Sequence, residues 1–216
     1  MKPLLSFIIL LLLETCTPAQ EPLALVDRGE VRHLRENCRW LLKSLDELRS
    51  PVPEETRREL ERHLANGCEG PEAMVAMQKL LDPLCLVGVT INPESRVKGT
   101  RGAAAAELTV EAACVFLVKV QNDAGVTQAL TLSSPNVAGS LKQTAADRWL
   151  HAVFHAGDAK APPRKLSGHE VEYLILVCQA RESGKREAKL IFDVGQGTQD
   201  LGFRAEVPIL FTIRRP

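Results

Sequence analysis

Few of the side chains able to hold a metal or move a proton stand in this sequence at spacings that either chemistry uses. The five histidines are His33, His63, His151, His155 and His169, and the one close pair lies in Trp149-Leu150-His151-Ala152-Val153-Phe154-His155. On a helix, a spacing of four would aim both imidazoles at one metal ion. On a strand the same two residues lie about 13 Å apart, too far to share an ion. Leu150, Ala152 and Phe154 alternate as the inward face of a strand does, which turns both histidines toward solvent. The expectation is no metal and no cofactor. Gly195-x-Gly197 followed by Gly202 has the outline of a phosphate loop, but such a loop needs a helix opening on its last glycine. Strand-type sequence follows here, so the glycines read as a hairpin connection or bulge. With no Gly-x-Ser-x-Gly elbow and no Cys-x-x-Cys, no catalytic residue is assigned and the chain is read as a non-enzyme.

Binding remains as a role, and loops are where a strand-rich scaffold binds. Two loops concentrate polar and charged residues. Residues 92–102 carry Arg96, Lys98 and Arg101 around Gly99 and Gly102, and residues 195–204 carry Gln196, Gln199, Asp200 and Arg204. The first is the one small basic loop, able to grip an anionic group or to stand as a solvated connection. A protein or carbohydrate partner is the expectation for these loops.

Charge removes one class of partner. Lys and Arg number 27 and Asp and Glu number 27, so no net field draws the chain to nucleic acid or to an anionic membrane. Hydrophobic residues make up 45% and charged residues 25%, the mixture of a chain that folds around a core. Residues 1–19 read as a signal peptide: Lys2 precedes an apolar run from Leu4 to Leu13, and Thr17-Pro18-Ala19 offers small residues for cleavage. That run falls short of the roughly 20 residues a membrane-spanning helix needs. The expected product is secreted or periplasmic, with no transmembrane segment. Cys16, just past the apolar run, leaves lipidation open.

The elements that must position these groups follow from periodicity. After a linker at 20–29, Val31, Leu34, Cys38, Leu41, Leu45 and Leu48 form one helical stripe, stopped by Ser50-Pro51-Val52-Pro53. A second helix starts at Pro53-Glu54-Glu55 and ends at Asn66-Gly67; a third runs from Pro71 to Pro83. The helical segment therefore spans 30–84. From Cys85 the pattern changes to strand-type runs at 86–91, 105–110, 114–121, 128–132, 149–154, 170–180, 189–194 and 206–213, separated by turn sequences. No long helix separates them, so the expected fold over 85–216 is an antiparallel, immunoglobulin-like β-sandwich, making the protein mainly β with a short α-helical segment in front.

Removal of a signal would leave Cys38, Cys68, Cys85, Cys114 and Cys178, an odd number. If the first two helices fold back on each other near residue 51, Cys38 stands about 16 Å from the end of one and Cys68 about 22 Å beyond the start of the other. A Cys38–Cys68 disulfide is thus open to the chain in an oxidising compartment. Cys114 and Cys178, with Trp149 between them, invite comparison with the inter-sheet bridge of antibody domains, although the tryptophan comes too late; buried free thiols are the alternative.

Three strings carry a family resemblance: Ile91-Asn92-Pro93-Glu94-Ser95-Arg96-Val97-Lys98; Phe116-Leu117-Val118-Lys119-Val120 with Asn122 and Ala124-Gly125-Val126-Thr127; and residues 192–204, Phe-Asp-Val-Gly-Gln-Gly-Thr-Gln-Asp-Leu-Gly-Phe-Arg. Over 85–213 the chain resembles the N-terminal, non-catalytic region of large secreted bacterial proteins that carry a PHP-type metallohydrolase domain further along. In that family the metal ligands, a His-x-His pair among them, belong to the later domain. This sequence contains no His-x-His, so no ligand or catalytic residue carries over. The resemblance implies an exported non-enzymatic binding or structural module, or else the accessory module of a metallohydrolase whose catalytic domain is on another chain.

Overall fold

The structure, a computed structural model, describes residues 22–65, 70–137, 149–157, 165–195 and 201–216. The expected signal peptide, Cys16 and Cys68 lie outside the described residues, as do Gln196, Gln199 and Asp200. Three helices come first, α1 (Val31–Glu47), α2 (Glu54–Ala65) and α3 (Pro71–Leu81). Nine strands follow: β1 (Cys85–Ile91), β2 (Val97–Arg101), β3 (Glu107–Thr109), β4 (Cys114–Asn122), β5 (Thr131–Ser133), β6 (Leu150–Phe154), β7 (Val171–Ala180), β8 (Gly184–Asp193) and β9 (Arg204–Arg214). They form a five-stranded sheet A, in the order β2-β1-β4-β7-β6, and a four-stranded sheet B, in the order β3-β9-β8-β5.

Burial along the strands reports the layering. In β9 Ala205, Val207, Ile209, Phe211 and Ile213 are buried while Glu206, Pro208 and Leu210 are exposed, the alternation of a sheet with one wet face. In β7 burial runs almost unbroken from Val171 to Ala180, as it must in a strand covered on both sides. Sheet A is therefore the middle layer. Its even-numbered β4 and β7 residues Phe116, Val118, Leu174 and Leu176 share a core with Phe192, Ile209 and Phe211 of sheet B. Its odd-numbered residues Leu117, Tyr173 and Ile175 share a second core with Leu34, Cys38, Leu41, Leu60, Met77 and Leu81 of the helices.

The expected purely antiparallel sheets are corrected: both sheets are mixed. β1 runs parallel to β4, and β3 runs parallel to β9. A parallel neighbour ordinarily requires a helical crossover. Here the chain leaves β1 through the antiparallel hairpin to β2, crosses to sheet B as β3, and returns as β4 beside β1. A strand of the opposite sheet serves as the crossover.

Directed polar bonds dock the helices. α1 closes with Arg49 in the left-handed region (φ 55°) and Ser50 N–H bonded to the Leu45 carbonyl, before Pro51 blocks another turn. Arg35 Nε and Arg39 Nη2 of α1 donate to the carbonyls of His63 and Leu64 (3.1 and 3.0 Å), satisfying the last turn of α2. Buried Gln78 of α3 holds the backbone of Val26, accepting its N–H at 2.9 Å and donating to its carbonyl at 2.6 Å. Residues 22–29, read as a linker, thereby pack on the molecule, with Leu23 and Val26 buried.

Beneath the helices lies an ion pair. Lys119 Nζ, 3% exposed at its side chain, donates to Asp82 Oδ2 and to the Ala24 carbonyl, both at 2.8 Å, and Tyr173 Oη donates to Asp82 Oδ1 at 2.7 Å. Burial raises the Asp82 carboxyl above its ordinary value, opposed by the Lys119 charge and by hydrogen bonds from Lys119 and Tyr173. Among the described residues no helix is long and apolar enough to cross a membrane.

Candidate functional site

The residues singled out in the first loop lie on a hairpin. Residues 92–96 make the β1–β2 turn, with Ser95 at φ 61° and Asn92 Oδ1 accepting the Arg96 N–H at 2.7 Å. β2 is a strand that the sequence does not announce, because Lys98, Gly99 and Arg101 are weak strand formers and pairing with β1 supplies the order. Arg101 Nη1 donates to the Leu86 carbonyl at 2.8 Å, and its guanidinium also bonds the Gly102 and Ala104 carbonyls, so it ties the chain leaving β2 to β1. Lys98 is exposed and lines a shallow cleft with Thr90, Thr100 and Gln121.

The described parts of the two expected binding loops meet. The Arg96 guanidinium sits over the Phe203 ring, 5.7 Å from its centroid, and occupies the space that a side chain at Gly202 would need. At the root of that junction Gly99 lets β2 approach Val207 of β9 more closely than any side chain would allow. Arg204 stands opposite Asp193 in the β8–β9 ladder, Nε to Oδ2 3.9 Å. The described part of this region is thus built from cation–π and ladder contacts.

A different place gathers titratable groups. Past the end of β6, no described strand pairs with that edge of β7. Buried Asn37 of α1 fills the next ladder position, its Oδ1 accepting the Tyr173 N–H at 2.7 Å and its Nδ2 donating to the Tyr173 carbonyl at 3.0 Å. Beside this plug is a cleft of about 440 Å³ lined by His33, Glu36, Trp40, Ser167, His169 and Glu172, together with Asn37 and Val171. The α1 members fall at 33, 36, 37 and 40, one helical stripe next to the apolar one.

His33 and His169 stack with ring centroids 3.3 Å apart and planes at 15°. His33 Nε2 is also 3.2 Å from Glu30 Oε2. Glu172, 2% exposed, accepts at Oε1 from the Ser167 backbone N–H (2.7 Å) and from Ser167 Oγ (2.8 Å). Its Oε2 is buried with no hydrogen-bond partner among the described residues. A lone buried carboxylate oxygen is costly unless something donates to it. Trp40 stacks on His155 with ring centroids 6.5 Å apart, and His155 Nε2 is likewise buried without a partner among the described residues.

The His151/His155 pair resolves as the strand pattern predicts for His151, which is exposed opposite Gln179 in the β6–β7 ladder. His155 departs from the expectation: it lies just beyond β6, half-buried against Trp40 rather than facing solvent. Among the described residues no group of three or more His, Cys, Asp or Glu is arranged to hold a metal ion. Cys38 is a buried free thiol, pushed up to about 12 by burial. Cys114 and Cys178 face each other within sheet A, not between sheets, because both β4 and β7 belong to it.

Sequence reading missed the cleft because its halves are far apart in the chain. The signal available was the polar stripe His33, Glu36, Asn37, Trp40; nothing marked Ser167 or Glu172 as its partners.

No protein-family model matches the sequence, and no curated protein matches it. Among solved structures, a chain from the structure of PbICP-C in complex with falcipain-2 aligns with 61% of this chain and 92% of its own length, at 8% identity and a TM-score of 0.29, a similarity too weak to bear on fold or function.

Proposed function

We propose that this chain is a non-enzymatic binding module of an exported protein, with an immunoglobulin-like sandwich as scaffold and the α1–β7 cleft as its binding site. The observation that carries the reading is Glu172, a buried carboxylate on the cleft wall whose Oε2 has no donor among the described residues. A ligand presenting an ammonium or guanidinium group supplies one. Glu36 adds a second carboxylate, and no lysine or arginine is among the described lining residues. The cleft volume suits a ligand of amino-acid size or a single basic side chain.

Binding rather than catalysis is favoured by how the cleft's hydroxyl is engaged. Ser167 Oγ gives its proton to Glu172 and accepts the His169 backbone N–H at 3.2 Å, and among the described residues no imidazole nitrogen is bonded to it. A nucleophile needs a base held on it by a third group, and that order is missing among these contacts.

Titrating the protein with ethylguanidinium or butylammonium chloride, against sodium chloride at equal ionic strength, should shift the Trp40 indole resonance and leave buried Trp149 unmoved. An N-acetylated arginine or lysine amide in the same assay separates a free amine from a partner's side chain as the source. Glu36→Lys, on the exposed face of α1, should weaken binding at least about tenfold by placing a cation at the cleft. No Trp40 response to any of these cations, or an affinity untouched by Glu36→Lys, overturns the proposal. Export is checked separately, by N-terminal sequencing of the protein recovered from envelope and culture fractions.

A further inference from the structure

Cys114 begins β4 and Cys178 lies near the end of β7, and the two are direct partners in the antiparallel β4–β7 ladder. The register runs without a shift from Cys114↔Cys178 to Gln121↔Val171. One step further, the Asn122 N–H donates to the Glu170 carbonyl at 3.0 Å, which marks the even-numbered pairs as the hydrogen-bonded ones. Facing residues in such pairs have Cα atoms about 5.5 Å apart. That Cα spacing falls inside the range of about 4.4–6.8 Å over which disulfides form, while the Cβ atoms of a hydrogen-bonded pair stand wider than the roughly 3.5–4.5 Å of a relaxed bridge, so closure draws the start of β4 toward β7. Being ladder partners, the two side chains also leave the sheet on the same face, toward the core shared with sheet B.

Access to the two sulfurs differs. Cys178 is fully buried, whereas Cys114 is partly exposed at the strand start. Cys114 Sγ lies 3.4 Å from the Thr109 N–H, a weak contact that one χ1 rotation gives up. Burial holds the Cys178 thiol well above its ordinary value, with the neighbouring Cys114 adding to the effect, so Cys178 is a poor first nucleophile.

We propose that Cys114 and Cys178 are an oxidation site, closing to a cross-strand disulfide that staples β4 to β7 in the middle layer. The step is thiol–disulfide exchange with a low-molecular-weight disulfide. Cys114 loses its proton and attacks one sulfur of that disulfide, releasing one thiol and leaving a mixed disulfide on Cys114. Cys178, deprotonated as the strand end opens, attacks the Cys114 sulfur and releases the second thiol. The two cysteines lose two electrons and two protons together, and the small disulfide takes them up. Cys114 acts first because it is reachable; Cys178 resolves because it stands opposite.

The test uses the whole chain and oxidised glutathione. After incubation under native conditions, the protein is quenched with acid, unfolded, alkylated and digested. The expected result is a peptide linking Cys114 to Cys178, with the oxidised form unfolding at higher urea than the reduced form. Cys114→Ser should abolish that linkage and leave Cys178 alkylated. If Cys114 accumulates as a stable glutathione adduct while Cys178 stays free, or if neither residue is oxidised while the protein remains folded, the proposal is overturned. A linkage from Cys178 to any other cysteine also overturns it, and wild-type mapping alone detects that outcome, independent of whether the variant folds.

Discussion

Mid-strand, the face of β4 and β7 that meets sheet B buries Phe116, Val118, Leu174 and Leu176 against aromatic and aliphatic side chains of β8 and β9. On the opposite face the same strands bury Leu117, Tyr173 and Ile175, but Lys119 lies among them with its ion pair to Asp82, and Asn37 bonds the Tyr173 backbone twice. Apolar burial is strong and undirected, so it brings two sheets together with some tolerance in how they sit. Hydrogen bonds and a desolvated ion pair tolerate one geometry. The helical layer, whose helices bury narrow stripes and of which α2 buries only Leu60, needs that direction to choose where it docks.

The sharpest way to break this contrast is one substitution on each face. Asp82→Ala leaves the Lys119 ammonium buried without its partner and should cost about 3–5 kcal/mol. Phe211→Ala, removing a fully buried ring packed edge-on against Phe116 and Trp149, should also cost about 3–5 kcal/mol, by cavity formation. Urea denaturation measures both. The two faces part company in the rescue: Lys119→Met with Asp82→Asn keeps an acceptor for Tyr173 Oη and removes the charge, so the double variant should lose less than Asp82→Ala alone. If it loses as much, the ion pair is not what makes the helix-facing side sensitive.

A smaller effect is expected at the edge plug. Asn37→Ala leaves the Tyr173 N–H and carbonyl without partners and should cost about 1–3 kcal/mol. Amide exchange should locate it, with Tyr173 exchanging faster and Leu176, which is paired on both sides, keeping its protection. Equal loss of protection at both would mean that Asn37 holds the whole fold and not this edge.

The smallest effect is a pH dependence confined to the helix-facing side. Because burial raises the Asp82 carboxyl, the unfolded chain ionises first as pH rises, at about its ordinary value of 3.8. The contribution of this group to stability is complete below that value and is lost as pH rises through the higher value in the fold. Wild type should therefore lose stability relative to Asp82→Asn across that window, while Phe211→Ala should track wild type at a constant offset. A difference between wild type and Asp82→Asn that grows in the opposite direction would mean that the Lys119 attraction outweighs burial.

Much of this was legible residue by residue. The stripe from Val31 to Leu48, the proline stops and the Pro71 start mark three helices in place, because periodicity and capping are local. The alternation of Leu150, Ala152 and Phe154 marks the inward face of β6, because successive residues of a strand turn to opposite faces. β2 was hidden, since a Lys-Gly-Thr-Arg strand owes its shape to its neighbour. The cleft was hidden for the same kind of reason: His33 and His169 stack across 136 positions of chain, and no local pattern links them.

Residue spacing alone marks the three helices, most of the strands and the inward faces of α1 and β6, because those depend on a few turns or pleats of neighbouring chain. Tertiary structure alone decided that β4 returns parallel to β1, that Lys119 is paired with Asp82, that Glu172 stands in a cleft with Trp40, and that Cys114 faces Cys178. Each of these is a meeting of distant segments, fixed by which strands cross between the sheets and where the helices come to rest.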